Sequence, residues 1–108
     1  MSDHTTLVRV CTTEDIPPDE VRRFEVNGKR VAVYHLPLGF FATDDTCSHE
    51  EYSLSEGFVD DNTIECPEHG AVFDIQTGKA MTLPATQPIK VYRVVVEGDE
   101  IFVEDSDG

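Results

Sequence analysis

Positive charge is scarce in this chain: 8 lysines and arginines face 22 aspartates and glutamates, a net charge of −14 over 108 residues. That imbalance excludes nucleic acid and anionic membrane as partners, because phosphate groups repel it, and it favours encounter with basic protein surfaces. Cysteine is nearly missing as well. Cys11, Cys47 and Cys66 form an odd set, which argues against a disulfide framework and for metal or redox use in a reducing compartment. No run approaches the roughly 20 apolar residues of a membrane span. Met1-Ser2-Asp3-His4-Thr5-Thr6 has neither the basic region nor the apolar core of a secretory leader. A cytoplasmic, monomeric protein is expected. Amphipathic helical periods, internal repeats and low-complexity segments are also lacking, which leaves strands as the main regular element.

What is present suits one domain spanning residues 1–108, with 39% hydrophobic residues and enough length to bury somewhat over 60% of the unfolded surface. Leu7 to Thr12 alternates as a first strand, and Pro17-Pro18 prevents a long helix after it. Arg23 to Tyr34 reads as two strands around Asn27-Gly28, a pair that tolerates the positive φ angles of a tight hairpin turn. Lys90 to Glu97 and Glu100 to Glu104 repeat this logic around Gly98-Asp99. The expected fold class is all-β, a small sandwich or barrel. Asp105-Ser106-Asp107-Gly108 reads as an acidic end and Asp3, Asp105 and Asp107 as plain terminal charges; Cys11 reads as a small buried hydrophobe. His4 and His35 have no partner at ligand spacing and take ordinary surface or half-buried roles.

Between about residues 43 and 85 the pattern changes: polar residues and glycine become frequent and apolar residues scatter. This block, with little apolar material of its own, is expected to depend on bound metal for its fold. It holds Cys47-Ser48-His49, a Cys-x-His, and Cys66-Pro67-Glu68-His69-Gly70, a Cys-x-x-His, with 16 residues between the two. Ligands two or three positions apart reach one metal site only if the backbone curls, which Pro67 and Gly70 favour. Two thiolates and two imidazoles admit a structural Cys2His2 zinc site, the staple of an interaction module, or an iron-sulfur cluster with mixed ligation. Zinc sites usually pair like ligands locally, whereas here each motif mixes the two. Mixed motifs suit a binuclear cluster clasped by two loops.

These residues resemble the Rieske family, whose signature is Cys-x-His and Cys-x-x-His on two loops. The likeness covers nearly the whole chain: Phe40 to Thr46, Cys66 to Asp74, the Thr77-Gly78 turn, Leu83-Pro84 and the closing hairpin. It implies an antiparallel β-sandwich with an inserted cluster-binding loop subdomain at about 43–85, and one [2Fe-2S] cluster. Cys47 and Cys66 would bind one iron, His49 and His69 the other, with Leu83-Pro84-Ala85 over the cluster. Tyr52 and Glu68 stand where the respiratory branch carries a cysteine pair, and Ala71 and Phe73 where high-potential members carry serine and tyrosine donors to sulfur. The likeness is therefore greatest to the small ferredoxins of aromatic-ring-hydroxylating oxygenases. It implies a one-electron carrier, not an enzyme, that meets a ferredoxin reductase and a terminal oxygenase transiently and electrostatically. Glu50, Glu51 and Glu68 would form the docking rim. The small Rieske-like subunit of a nitrite reductase is the alternative within the family. The chain is too short to hold a separate catalytic domain.

Overall fold

The computed structural model describes residues 5–46, 53–67, 70–81 and 88–106. Three antiparallel sheets occupy these residues, built from β1 (Thr5–Thr12), β2 (Val21–Val26), β3 (Lys29–Leu36), β4 (Gly39–Asp44), β5 (Phe58–Asp60), β6 (Thr63–Glu65), β7 (Val72–Asp74), β8 (Val91–Tyr92), β9 (Val94–Glu97) and β10 (Glu100–Ser106). The sheets run β1-β10-β9, β2-β3-β4-β8 and β5-β6-β7. No described helix is long and apolar enough to cross a membrane; the two helical elements among the described residues are single 3-10 turns at Thr13–Asp15 and Leu54–Glu56.

Both predicted hairpins form. Asn27 and Gly28 adopt φ of 51° and 83°, the positive values a two-residue turn of this kind requires, and they set Val26 opposite Lys29. Gly98, at φ 62°, turns β9 into β10 with Glu97 opposite Glu100. The predicted strand from Lys90 to Glu97 is interrupted at Arg93. Its first part, β8, pairs with β4, and its second, β9, pairs with β10, so the chain changes sheets there. The Arg93 carbonyl accepts from the Glu104 amide at 2.8 Å.

Strand β3 explains the layering. Val31, Ala32, Val33 and Tyr34 are all fully buried, although successive side chains of a strand point to opposite faces; both faces of the middle sheet must therefore be covered. Val31 and Val33 join Val26, Ala42, Tyr92 and, from the β1-β10-β9 sheet, Cys11, Ile101 and Val103. On the opposite face Ala32 and Tyr34 meet Leu54, Ile64, Phe73, Ile75 and Ile89. Within the block 43–85 the apolar residues are few, as expected, but the described ones converge, and burying each large one contributes about 1.5 to 3 kcal/mol.

The reading of Asp105 as a plain terminal charge is corrected. Strand β10 runs through it, and Asp105 is buried, accepting from Asn27 Nδ2 and Lys29 Nζ, each at 2.8 Å. These bonds hold its carboxyl below the usual carboxylate range. Cys11 is buried as expected, and burial, helped by nearby Asp15, pushes its thiol up to about 11. It stays a neutral thiol at pH 7. His35 is half-buried, its Nδ1 2.8 Å from the Ile16 carbonyl oxygen and its ring stacked on Phe40 at 4.2 Å. His4, Asp3 and Asp107 lie outside the described residues.

Candidate metal centre

Strand β4 ends at Asp44, and the next two residues close a loop. Thr46 forms an antiparallel bridge with Ser53, while the Asp45 carbonyl accepts from the Leu54 amide and its Oδ1 from the Ser55 amide at 2.9 Å. The six positions in between, 47–52, carry the first motif. Cys47 and His49, with Glu50, Glu51 and Tyr52, lie outside the described residues, but both ends of their loop are fixed to the middle sheet.

The second motif starts where β6 ends. Cys66 is buried, its amide donating to the Ala71 carbonyl at 2.7 Å and its carbonyl accepting from the Gly70 amide at 3.1 Å. Gly70 adopts φ of 72°, a left-handed angle that costs glycine little. The curl predicted from Pro67 and Gly70 is therefore present. Glu68 and His69 lie outside the described residues. Ala71 and Phe73 follow, both buried beside Cys66 in the core beneath the loop.

The turn after β7 is fixed by Asp74. Its Oδ1 accepts from the Gln76 and Thr77 amides at 2.8 and 3.2 Å, and its carbonyl from Gly78 at 2.7 Å. Gly78, at φ 79°, leaves no room for a side chain, since a Cβ would stand 2.2 Å from the Ile89 carbonyl oxygen. Phe73 then bridges Ala80, and the Met81 amide reaches the Val72 carbonyl at 2.7 Å. This strip leads into 82–87, where Leu83, Pro84 and Ala85 lie outside the described residues.

One contact that sequence reasoning missed joins the two motif loops. Gly57, just past the first loop, packs directly on the backbone of Glu65, the neighbour of Cys66. A glycine following a Leu-Ser-Glu turn was the visible signal, but its partner lies eight residues on. Tyr34, in the same buried cluster as Cys66, pairs its hydroxyl with that of Thr43 at 2.9 Å; burial raises the tyrosine's pKa, so it remains a neutral phenol.

The donor chemistry fits an iron-sulfur group. The Cys66 side chain is enclosed at the base of a curled loop and backed by apolar Ala71 and Phe73, surroundings that keep water from ligand sulfur.

Comparison with known proteins agrees. Residues 6–93 match the family model described as the Rieske [2Fe-2S] domain. The chain is 42% identical over 98 residues to the ferredoxin component of biphenyl 2,3-dioxygenase from Rhodococcus jostii (strain RHA1), covering 91% of this chain and 92% of that protein. It is similar to the ferredoxin of carbazole 1,9a-dioxygenase from Nocardioides aromaticivorans IC177, with a TM-score of 0.88 and 38% identity over 91% of this chain and 96% of that one. A third likeness is to a chain in the complex of reduced oxygenase and oxidized ferredoxin of carbazole 1,9a-dioxygenase, with a TM-score of 0.84 and 41% identity over 90% and 91% of the two chains. The family match decides against the zinc reading, and the chain belongs to the Rieske family as an electron-transfer protein carrying one [2Fe-2S] cluster.

Proposed function

We propose that this chain is the ferredoxin of an aromatic-ring-hydroxylating dioxygenase system, accepting one electron from a ferredoxin reductase and giving it to a terminal oxygenase. The carrying observation is the curled Cys66–Ala71 turn on its own apolar floor, which presents the second motif with Cys66 inward and buried. In this reading residues 1–108 form one domain. Cys47 and Cys66 would hold one iron within the loops at 43–85, and His49 and His69 would hold the other.

When bound, the cluster supplies a one-electron couple and nothing else. The chain's own work is to keep water from the cysteines, hold the loops in register and present the histidine end to a partner. That division suits a monomeric cytoplasmic carrier. The net charge of −14, with Glu50, Glu51 and Glu68 adjacent to the histidines in sequence, draws in a basic partner face and lets it leave quickly.

Stopped-flow mixing of the reduced chain with oxidised terminal oxygenases of aromatic dioxygenases, those acting on biphenyl and carbazole included, tests this. At least one should take up one electron per chain. Its rate should fall when salt is raised to about 0.5 M, where screening shortens the reach of charge to a few ångströms, and should fall with Glu68→Lys. Failure to reduce any of them would overturn the assignment, and a rate indifferent to salt and to Glu68→Lys would overturn the docking rim.

A further inference from the structure

We propose that Asp45 is a positioning residue for the first ligand loop, held by Arg23, and that it sets the register of this loop against the second. The inference rests on the assignment of Cys47 as a ligand. Asp45 is fully buried, an unusual place for a carboxylate, since burial is costly without strong partners. Its Oδ1 accepts from the Ser55 amide at 2.9 Å. Its Oδ2 has no hydrogen-bond partner among the described residues, and the nearest cation is Arg23 Nη1 at 4.0 Å.

A group bonded so incompletely is a poor device for stability, and a neutral residue could satisfy Ser55 equally well. Its placement suits a different task. Asp45 sits two positions before Cys47 and binds Ser55, beyond the far end of the same loop. Its own amide donates to Arg30 on β3 at 3.0 Å, so the loop start is anchored to the middle sheet. Arg23, on β2, reaches Ser53 Oγ at 3.3 Å as well as Asp45, and so holds both ends of the loop to the same strand. From Ser55 the chain runs through Gly57, which rests on Glu65, the residue before Cys66. One continuous set of contacts therefore links the described flanks of the first motif to Glu65, beside the second, and the carboxylate with its arginine is the polar element in it.

The test uses the intact protein with its cluster and reads iron release to a chelator after reduction, the EPR line widths of the reduced state and the urea midpoint. Asp45→Ala should release iron faster by about 10- to 100-fold, the range typical for groups that orient metal ligands, and should broaden the EPR lines. Arg23→Gln, at a half-exposed position, should accelerate release to a smaller degree, and should add less, compared with the parent, in an Asp45→Asn background, where only its bond to Ser53 is left to lose. Val103→Ala, in the opposite core, should lower the urea midpoint while leaving release and line widths as in the parent. Wild-type release and line widths in Asp45→Ala would overturn the proposal. Should that variant fail to fold, an Arg23→Gln protein with wild-type release would do the same. Cys47→Ser separates this from the ligand assignment: full iron and sulfide there sinks the assignment itself, whereas an empty Cys47→Ser with an unchanged Asp45→Ala sinks only the positioning role.

Discussion

Gly57 and Glu65 approach so closely that a methyl group on Gly57 would stand 2.0 Å from the Glu65 carbonyl oxygen and 3.2 Å from that of Leu54. The φ of Gly57 is −90°, open to any residue, so space rather than conformation demands glycine. Gly57→Ala should cost about 1 to 3 kcal/mol, the usual range for overpacking, and should loosen both ligand loops together. Urea unfolding reads the first effect and iron release the second. An alanine variant with the parent's iron release would show that this contact does not join the loops.

Much of the frame was legible because its signals are local. Asn27-Gly28 and Gly98 specify their turns through φ angles that few residues adopt. The β5-β6-β7 sheet was not legible. Its strands are three residues long, too short to show a period of two, and Leu54, Ile64, Phe73 and Ile75 meet only through tertiary packing. Asp105 was misread for a similar reason: its partners Asn27 and Lys29 lie nearly eighty positions away. Of the site, the second motif gave the curl at Cys66, while the Asp45 and Gly57 supports depend on contacts distant in sequence.

Removing the cluster should not erase the small sheet. Cys66→Ser should yield a chain without iron or acid-labile sulfide whose far-UV circular dichroism still reports the strands, because the core around Ile64 and Phe73 persists. Ile64→Ala should cost about 2 to 5 kcal/mol by leaving a cavity in that core. Loss of the strand signal in Cys66→Ser would mean that metal, not packing, holds this region.

The reduction potential should lie at the low end of the Rieske range, near about −150 mV. Ala71 and Phe73 are buried and carry no side-chain donor. A donor to ligand or cluster sulfur stabilises the more negative, reduced state. A hydrogen bond to a charged group contributes about 1.5 kcal/mol, and about 1.4 kcal/mol is a tenfold change, or about 59 mV for one electron. A difference between oxidation states is a fraction of that, so Ala71→Ser and Phe73→Tyr should each raise the potential by tens of millivolts. Protein-film voltammetry reads the shift; a wild-type midpoint above about 0 mV would contradict the account.

Asp105 makes stability depend on acid. Its hydrogen bonds from Lys29 and Asn27 lower its folded pKa beneath the ordinary value of about 3.9. The contribution is therefore present above that ordinary value and is lost as pH falls through the folded one. Asp105→Asn should lower the urea midpoint at neutral pH, and the gap to the parent should close in acid. A gap constant down to the acid limit would show that the charge of Asp105 has no part in it.

Mixed thiolate and imidazole ligation by Cys47, Cys66, His49 and His69 is the centre of the account, and nitrogen hyperfine spectroscopy on the dithionite-reduced protein, produced with 15N-labelled histidine, reads it most directly. The account predicts one paramagnetic [2Fe-2S] centre per chain with couplings from two histidine nitrogens, one of them lost in His49→Cys and one in His69→Cys. A reduced centre without histidine coupling, or couplings that survive both substitutions, would contradict it.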